Sequence, residues 1–145
     1  MNEYDHLKLE NQLCFPLYAC SKEIIKRYKP FLEKIDLTYT QYITMMVLWN
    51  RKELNVKDLG KYLFLDSGTL TPLLKKLENK GYITRNRSNS DERNVIITIT
   101  DLGLNLKEKA KTIPIELSKC INLDEKESLD LYKLLYKILI NFKEK

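Results

Sequence analysis

Cysteine is the residue type in this chain that is best suited to covalent chemistry. The 145 residues include Cys14, Cys20 and Cys120, and His6 is the single histidine. The cysteines form no CxxC pair and have no histidine at ligand spacing, which argues against a zinc site and a disulfide framework. Buried packing and thiol chemistry therefore remain open for them. A single histidine leaves almost no basis for histidine-dependent acid–base catalysis or a histidine-rich metal site, and we expect neither a metal nor a cofactor.

Cys14 lies where a helix is expected to begin. Apolar residues recur at helical spacing from about residue 7 to residue 32, and Pro16 interrupts the pattern. Because proline is tolerated only in a first turn or at a kink, either the main helix begins near Phe15 or a longer helix bends there. On the first alternative Cys14 lies just ahead of a helix N-terminus, where the dipole favours the reactive thiolate. Cys20 falls on the apolar stripe and is predicted to pack.

A second stretch with chemical potential runs from residue 66 to residue 93. Six basic and three acidic side chains lie between Lys75 and Arg93, whereas the whole chain has 25 basic and 20 acidic residues. A basic cluster on one supersecondary unit is typical of a phosphate-binding surface. On charge alone, a solvated face without a partner is an alternative of similar weight.

The first half of this stretch has the pattern of an amphipathic helix capped by Asp66. Four leucines, at positions 70, 73, 74 and 77, follow the i, i+3, i+4, i+7 spacing of a buried face. The opposite face carries small hydroxyl side chains early and lysines later, which suits a helix inserted N-terminus first into a major groove. The residues predicted to contact DNA on this helix are Ser67, Gly68, Thr69, Thr71, Pro72, Lys75 and Lys76.

The second half predicts a β-hairpin. The segments YITRNR and NVIITIT are rich in β-branched residues, and SNSDER between them has the composition of a turn. Asp91 and Arg93 are two residues apart, so in an extended loop they project to the same side. The carboxylate then either aims the guanidinium at a narrow minor groove or forms an ordinary surface ion pair of at most ~1 kcal/mol. The hairpin residues predicted to contact DNA are Arg85, Arg87, Asp91 and Arg93.

The remaining segments are predicted to be mostly helical. Thr38, Asn55 and Thr100 are expected to cap helices, and Asp124 with Glu127 predicts a capping box at the last one. Residues 115–122, which hold Cys120, are interpreted as a short connection. The apolar stripe of the last helix is wider than one packing face requires, which indicates burial against a second subunit.

These elements predict a mainly α fold with a small β-hairpin wing, a winged helix-turn-helix. We expect one domain over residues 1–145, with a body of about 38–100 and dimerisation helices of about 5–34 and 101–145. A hydrophobic fraction of 43% excludes disorder, and no 18-residue apolar run exists to span a membrane. No secretory pattern is present, so a cytoplasmic protein is expected.

The order of these elements resembles the MarR family of dimeric winged-helix regulators. The D-x-R motif at Asp91 and Arg93 and the T-D-x-G helix start at Thr100 support the resemblance. Within that family, NQLCFPLYACS, LTYTQY and LDSGTLTPLLKKLE resemble the OhrR group, repressors that sense organic hydroperoxides. The resemblance covers almost the entire chain. It implies a homodimer that binds a pseudo-palindromic operator in double-stranded DNA and releases it after oxidation.

The resemblance also implies roles for individual residues. The cysteine of the LCF motif, Cys14, matches the peroxide-reacting thiol, and Tyr28 and Tyr39 match two tyrosines that hydrogen-bond it across the dimer. On one straight helix Cys14 and Tyr28 are ~21 Å apart, so they can meet only across the dimer or around a sharp bend. Apolar neighbours of the thiol favour an alkyl or lipid hydroperoxide. Oxidised Cys14 then pairs with Cys120 of the partner subunit or forms a mixed disulfide with a small thiol.

Two other functions stay open at this point. A regulator of the same fold can respond to a small lipophilic or phenolic ligand, with its cysteines incidental. A thiol peroxidase with an incidental basic patch is the alternative from another class. The lack of a dedicated acid–base partner argues against the peroxidase, so the chain is not expected to be an enzyme.

Overall fold

The computed structural model describes residues 2–91 and 93–143. Within them the fold is mainly helical with one small antiparallel sheet, as predicted. Two short 3-10 helices, Asp5–Leu7 and Leu9–Asn11, come first. The helices are α1 (Cys14–Glu33), α2 (Tyr39–Arg51), α3 (Val56–Leu63), α4 (Ser67–Asn79), α5 (Asp101–Ala110), α6 (Ile113–Ile121) and α7 (Glu125–Lys143). The strands are β1 (Glu53–Asn55), β2 (Ile83–Arg87) and β3 (Val95–Ile99).

By its internal contacts the chain divides into two compact units, one up to residue 113 and one from residue 114 onward. The first unit holds α1 to α5 and the sheet, and the second holds most of α6 and all of α7. The single domain, with its body and its dimerisation helices at both ends, stays a prediction. None of the described helices is both long enough and apolar enough to cross a bilayer.

Pro16 determines where α1 begins. The helix starts at Cys14 and continues to Glu33, so Pro16 lies in its first turn, where a missing N–H costs no hydrogen bond. This confirms the prediction that the main helix begins near Phe15. Pro30 is inside the helix too, but it lies beyond Tyr28. The segment from Cys14 to Tyr28 is therefore helical throughout.

The predicted caps account for the other helix starts. Thr38 Oγ1 accepts the Gln41 N–H at 3.3 Å, and Gln41 Oε1 accepts the Thr38 N–H at 3.0 Å, which completes a capping box at α2. Side-chain caps also open α3, α4, α5 and α7; the capping residues are Asn55, Asp66, Thr100 and Asp124. Each cap satisfies an N–H group that the first helical turn leaves unpaired.

The T-D-x-G motif has a clear packing role at the start of α5. Gly103 is buried, and a Cβ added there would lie 2.4 Å from the Tyr82 carbonyl oxygen. The Gly103 carbonyl accepts a hydrogen bond from the Trp49 indole N–H at 2.8 Å. Glycine is required here because the start of α5 lies against the backbone at Tyr82, just before β2. The hydrogen bond from Trp49 holds the same point of α5 to α2.

In the first unit, the helices and strands each direct one face toward a shared core. The four leucines of α4 are buried as predicted. They meet apolar residues of α2, α3 and the sheet that are at most 2% exposed, namely Met45, Leu48, Leu59, Ile83 and Ile97. The buried face of α4 therefore fixes which of its residues point outward.

Two elements differ from the sequence-based prediction. Residues 115–121 belong to helix α6 and are not a connection, because Pro114 stands in a first turn, where proline favours a helix start. Strand β1 was not predicted; it pairs with β3 on the edge opposite β2, with Leu54 opposite Ile97. Three residues are too few for an alternating pattern to be recognised.

Helix α7 has no buried residue within the single chain. Its apolar side chains are widely exposed, with values of 50% for Leu129, 60% for Leu134 and 70% for Phe142. An apolar face of this extent marks a surface that contacts another molecule. The predicted burial of the apolar stripe of α7 therefore does not occur within a single chain.

Candidate functional site

A cleft of about 650 Å³ lies between the N-terminal ends of α3 and α4 and the β2–β3 hairpin. It brings together residues that the sequence placed on two separate elements. The predicted DNA-contacting residues in its lining are Ser67, Thr71, Arg85, Arg87, Asp91 and Arg93. Asn55, Lys57 and Asn94 line it too, although none of them was predicted to contact DNA. Lys57 had only one signal, its position just after the helix cap Asn55.

The outward face of α4 carries the other predicted contact residues. Gly68, Thr69, Pro72, Lys75 and Lys76 are exposed on this helix and lie outside the lining of the cleft. Because Pro72 has no N–H, the Gly68 carbonyl lacks its usual helical donor and stays available as an acceptor. The face therefore offers hydroxyls, a free carbonyl and two ammonium groups in one exposed stripe.

Asp66 and Thr71 keep the start of α4 in place. The Asp66 carboxylate accepts the Thr69 N–H at 2.7 Å, and this hydrogen bond is the main reason that the pKa of Asp66 lies below its usual 3.8. Thr71 Oγ1 donates to the Ser67 carbonyl at 2.8 Å. The hydroxyl of Thr71 keeps its acceptor capacity for a further partner.

Arg85 is held by Glu78 and joins the hairpin to α4. Its Nη2 and Nε atoms lie 3.0 and 3.3 Å from Glu78 Oε1, and its backbone N–H donates to Oε2 at 3.1 Å. The hydrogen bond from the guanidinium is the largest cause that lowers the pKa of Glu78 below its usual 4.5. Arg85 therefore positions the hairpin. Glu78 is seven residues upstream, where no local sequence signal connects the two.

Asp91 and Arg93 are arranged differently from the prediction. The Asp91 carboxylate accepts the backbone N–H of Arg93 at 3.0 Å. Among the described residues their side chains form no ion pair, so the expected orientation of the guanidinium by the carboxylate is wrong. A carboxylate two residues upstream is well placed to bond the backbone and turn the loop. Arg93 nevertheless lines the cleft.

The predicted sensing tyrosines form an aromatic cluster. The ring centroids of Tyr28 on α1 and Tyr39 on α2 are 4.9 Å apart. Tyr42, which was not predicted as a sensing residue, has its ring centroid 5.7 Å from that of Tyr28 and 6.4 Å from that of Tyr39. The spacing of Tyr39 and Tyr42, one helical turn apart, was the available signal. The cluster continues to Trp49, whose ring centroid is 6.3 Å from that of Tyr42.

Burial keeps these phenols protonated over a wide pH range. It raises the pKa of Tyr28 and of Tyr39, with a further contribution from Tyr39 at Tyr28, and it raises the pKa of Tyr42 to about 12. Within residues 2–91 and 93–143, the Tyr28 and Tyr39 hydroxyls form no hydrogen bond. Two protonated donors thus lie side by side, and neither is bonded to an acceptor among the described residues.

Cys14 is the first residue of α1 and is exposed. Because α1 is helical from Cys14 to Tyr28, these residues are separated by ~21 Å along the helix axis. The structure therefore does not bring the thiol and the tyrosines together within one chain. Leu13 and Phe15 beside the thiol are 75% and 41% exposed, which gives Cys14 an apolar surrounding.

The other two cysteines are exposed as well. Cys20 lies on α1, and the prediction that it packs is wrong for the single chain, because the core of this unit is filled by residues from Leu32 onward. Cys120 lies near the end of α6 in the second unit. Its thiol is accessible to another molecule.

Three of the relatives found by comparison with known proteins illustrate how much of the chain is matched. The organic hydroperoxide resistance transcriptional regulator of Bacillus subtilis (strain 168) is 49% identical, over 99% of this chain and 98% of its own. The HTH-type transcriptional regulator SarZ of Staphylococcus haemolyticus is 47% identical, over 92% and 90% of the two chains.

The third relative is AbfR of Staphylococcus epidermidis. Its reduced form bound to DNA has a TM-score of 0.80 at 33% identity and covers 97% of this chain and 99% of that one. A disulfide-formed AbfR structure matches with a TM-score of 0.65, over 94% and 96% of the chains.

The family described as transcriptional regulator SarA/Rot matches residues 26–110, more than half of the chain. That region includes the tyrosine cluster, all three strands and the cleft. The MarR-type and OhrR-type resemblance stated from the sequence motifs is confirmed by these relatives. This chain belongs to the SarA/Rot family of MarR-like winged-helix transcriptional regulators.

Proposed function

We propose that this transcriptional regulator is a homodimeric repressor that releases its operator when an organic hydroperoxide oxidises Cys14. One observation carries the proposal. An exposed thiol with apolar neighbours is separated by ~21 Å of helix from two protonated phenols, neither of which is hydrogen-bonded within the part of the chain that the structure describes. In a dimer, the thiol of one copy can lie against the tyrosines of the other. The phenols then gain an acceptor, and the thiol gains hydrogen-bond donors.

The cleft and the outer face of α4 supply the DNA-binding surface. The hydroxyls of Ser67 and Thr71 face a space that Lys57, Arg87 and Arg93 line with positive charge. Hydroxyl groups near a helix N-terminus suit base edges and phosphates, while arginine on a wing suits the minor groove. In a dimer the two α4 helices would read half-sites about one helical turn, ~34 Å, apart on double-stranded DNA.

The redox step needs only the thiol and the peroxide. The Cys14 thiolate attacks one oxygen of the hydroperoxide, the O–O bond breaks, and the alkoxide leaves as an alcohol after taking a proton. The sulfur loses two electrons and becomes a sulfenic acid. Tyr28 and Tyr39 of the partner subunit would donate hydrogen bonds to the thiolate and hold it in place. The apolar side chains of Leu13 and Phe15 favour an alkyl or lipid hydroperoxide.

The sulfenic acid then condenses with a second thiol and releases water. We favour Cys120 of the partner subunit as that thiol, and a small cellular thiol is the other candidate. AbfR, 33% identical to this chain, has been solved with a disulfide formed, which supports a two-cysteine route. Mass spectrometry under non-reducing conditions distinguishes these two thiols. A disulfide-linked dimer identifies Cys120, and a small added mass identifies a mixed disulfide.

The names of the relatives support this assignment. The Bacillus subtilis relative is named for organic hydroperoxide resistance, and AbfR has been solved in reduced form on DNA. In this chain Cys14 and Tyr39 lie within the motifs that carry the OhrR-type resemblance, and Tyr28 lies at a matching position in the segment RYKP. We therefore propose a regulator rather than an enzyme.

A DNA-binding titration with and without one equivalent of cumene hydroperoxide tests the proposal. Wild-type protein is expected to lose operator affinity after oxidation, whereas Cys14→Ser keeps it. If the two proteins respond alike, the redox role of Cys14 is wrong.

The same titration, extended to small molecules, exposes the two competing functions. A response to a phenolic ligand that Cys14→Ser retains would identify a ligand-sensing regulator. Sustained consumption of peroxide with a thiol reductant, without DNA affinity, would identify a peroxidase.

A further inference from the structure

We propose that Lys80 is a positioning residue that couples the tyrosine cluster to α4. This inference rests on the proposed function, because it concerns how oxidation of Cys14 would change DNA affinity. Lys80 follows α4 directly as its C-cap residue. It is one of the basic residues between positions 75 and 93, and its side chain turns away from the DNA-binding face.

The ammonium group of Lys80 is bound to the connection between α1 and α2. It donates hydrogen bonds to the Asp36 carbonyl and to Gln41 Oε1, the latter at 3.2 Å, and lies 3.4 Å from Asp36 Oδ2. The Lys80 side chain is only 26% exposed, whereas Lys75 and Lys76 on the same helix are exposed. Charge-assisted hydrogen bonds in a partly buried position are stronger than surface ion pairs.

The connection that Lys80 holds is the one that joins the two sensing tyrosines. Tyr28 precedes it on α1, Tyr39 follows it on α2, and their rings are in contact across it. Backbone hydrogen bonds from Ile35 and Leu37 to the Leu32 carbonyl close the turn. Gln41 belongs to the capping box that begins α2, so its Oε1 serves Thr38 and Lys80 at once.

On the other side, the backbone of Lys80 is bonded to α4, and residues next to it connect α4 to the hairpin. Its backbone N–H donates to the Lys76 carbonyl at 3.1 Å, and Tyr82 N–H donates to the Leu77 carbonyl at 3.1 Å. Glu78, in the same final turn, holds Arg85 of the hairpin. A shift of the tyrosines that moves the α1–α2 turn is thereby transmitted to α4 and to the hairpin.

The test compares Lys80→Met with Lys34→Met. Methionine keeps the length and apolar part of the lysine side chain but removes its charge and donors. Lys34 caps the end of α1, is exposed, and gives a matched loss of one positive charge close to the same turn. For each protein, the operator Kd is measured in the reduced state and after stoichiometric cumene hydroperoxide, with Cys14 oxidation followed by mass spectrometry.

We expect the ratio of oxidised to reduced Kd to fall about fivefold or more in Lys80→Met, which is the size of a typical coupling between sites. Cys14 oxidises at the wild-type rate, and Lys34→Met keeps the wild-type ratio. A wild-type ratio in Lys80→Met, with Cys14 oxidised, overturns the coupling role. If wild-type affinity does not change on oxidation, the proposed function itself fails.

Asp36→Asn provides a second variant if Lys80→Met does not fold. Asp36 has φ +53, a backbone conformation that asparagine tolerates. The substitution removes the carboxylate and leaves the carbonyl that Lys80 also contacts. We expect a smaller fall in the Kd ratio, and Lys80→Arg, which keeps charge and donors, is expected to retain most of the wild-type ratio. An unchanged ratio in Asp36→Asn contradicts the proposal.

Discussion

The DNA-binding surface and the sensing residues of this protein differ in how far a single chain completes them. The cleft between α3, α4 and the hairpin is assembled within one chain, and Glu78 fixes its hairpin through Arg85. Cys14 and the tyrosine pair belong to the same chain too, yet the helix between them keeps them ~21 Å apart. On our proposal, the DNA-binding surface forms without a partner's residues, whereas the sensing site requires the tyrosines of a second chain.

This difference explains why the trigger can control DNA binding without being part of the DNA-binding surface. On our proposal, a site made from two chains changes the relation between subunits when it is oxidised. The distance between the two α4 helices then changes, and each α4 stays intact. Lys80 would connect the two regions within each chain, since it contacts the α1–α2 turn and ends α4.

The largest expected effects come from two leucine substitutions, one in the core beneath the DNA-binding surface and one on the exposed face of α7. Leu74 of α4 is 1% exposed, so Leu74→Ala is expected to lower the free energy of unfolding by about 2–5 kcal/mol. Leu134 of α7 is 60% exposed, and Leu134→Ala is expected to weaken dimerisation instead. Urea unfolding at several protein concentrations measures both effects. A concentration dependence that Leu134→Ala leaves unchanged contradicts the dimer role of α7.

A smaller effect is expected from removing one charge in the cleft. Arg93→Ala should weaken operator binding about tenfold and reduce the slope of log K against log salt by about 1, because one phosphate contact is lost. Peroxide oxidation of Cys14 should continue at the wild-type rate, since Arg93 is outside the sensing residues. Lys126→Ala on α7 serves as a charge control. An equal loss of affinity in both variants would show that the cleft has no special role.

The smallest effect concerns the acid stability of the hairpin. The Arg85 guanidinium lowers the pKa of Glu78 below 4.5, so the pair stabilises the fold above that pH. The contribution is lost as pH falls through the lowered pKa of the folded state. Glu78→Gln is expected to cost at most ~1 kcal/mol at pH 7, because the pair is partly exposed, and less at pH 3. Thermal unfolding at both pH values measures this, and an equal cost at each pH contradicts it.

Local sequence signals were sufficient for most of the fold. Helix caps such as Asp66, the leucine spacing of α4 and the turn composition between β2 and β3 are each encoded within a few residues, and all were predicted. Strand β1 and the pair of Glu78 with Arg85 depend on contacts that form only in the folded chain. For that reason a sequence pattern could identify Arg85 as basic but could not show that Glu78 holds it.

The candidate site, like the fold, was predicted in part from the sequence. The resemblance of the motifs identified Cys14, Tyr28 and Tyr39. The length of a straight helix from Cys14 to Tyr28 also indicated that this thiol and this phenol cannot meet within α1. Tyr42 was not predicted as part of the tyrosine cluster, since its contact with Tyr28 requires α1 and α2 to be folded together. The contact of Lys80 with Gln41 spans 39 residues and had no local signal.

The most direct test of the two-chain site uses mixed dimers. One chain carries Cys14→Ser, and the other carries Tyr28→Phe with Tyr39→Phe. If the site forms between chains, the remaining thiol meets the intact tyrosines of its partner, and cumene hydroperoxide should oxidise it at the wild-type rate. The double tyrosine variant as a homodimer should react about tenfold more slowly, because the thiolate loses its hydrogen bonds. A mixed dimer as slow as that homodimer contradicts the account.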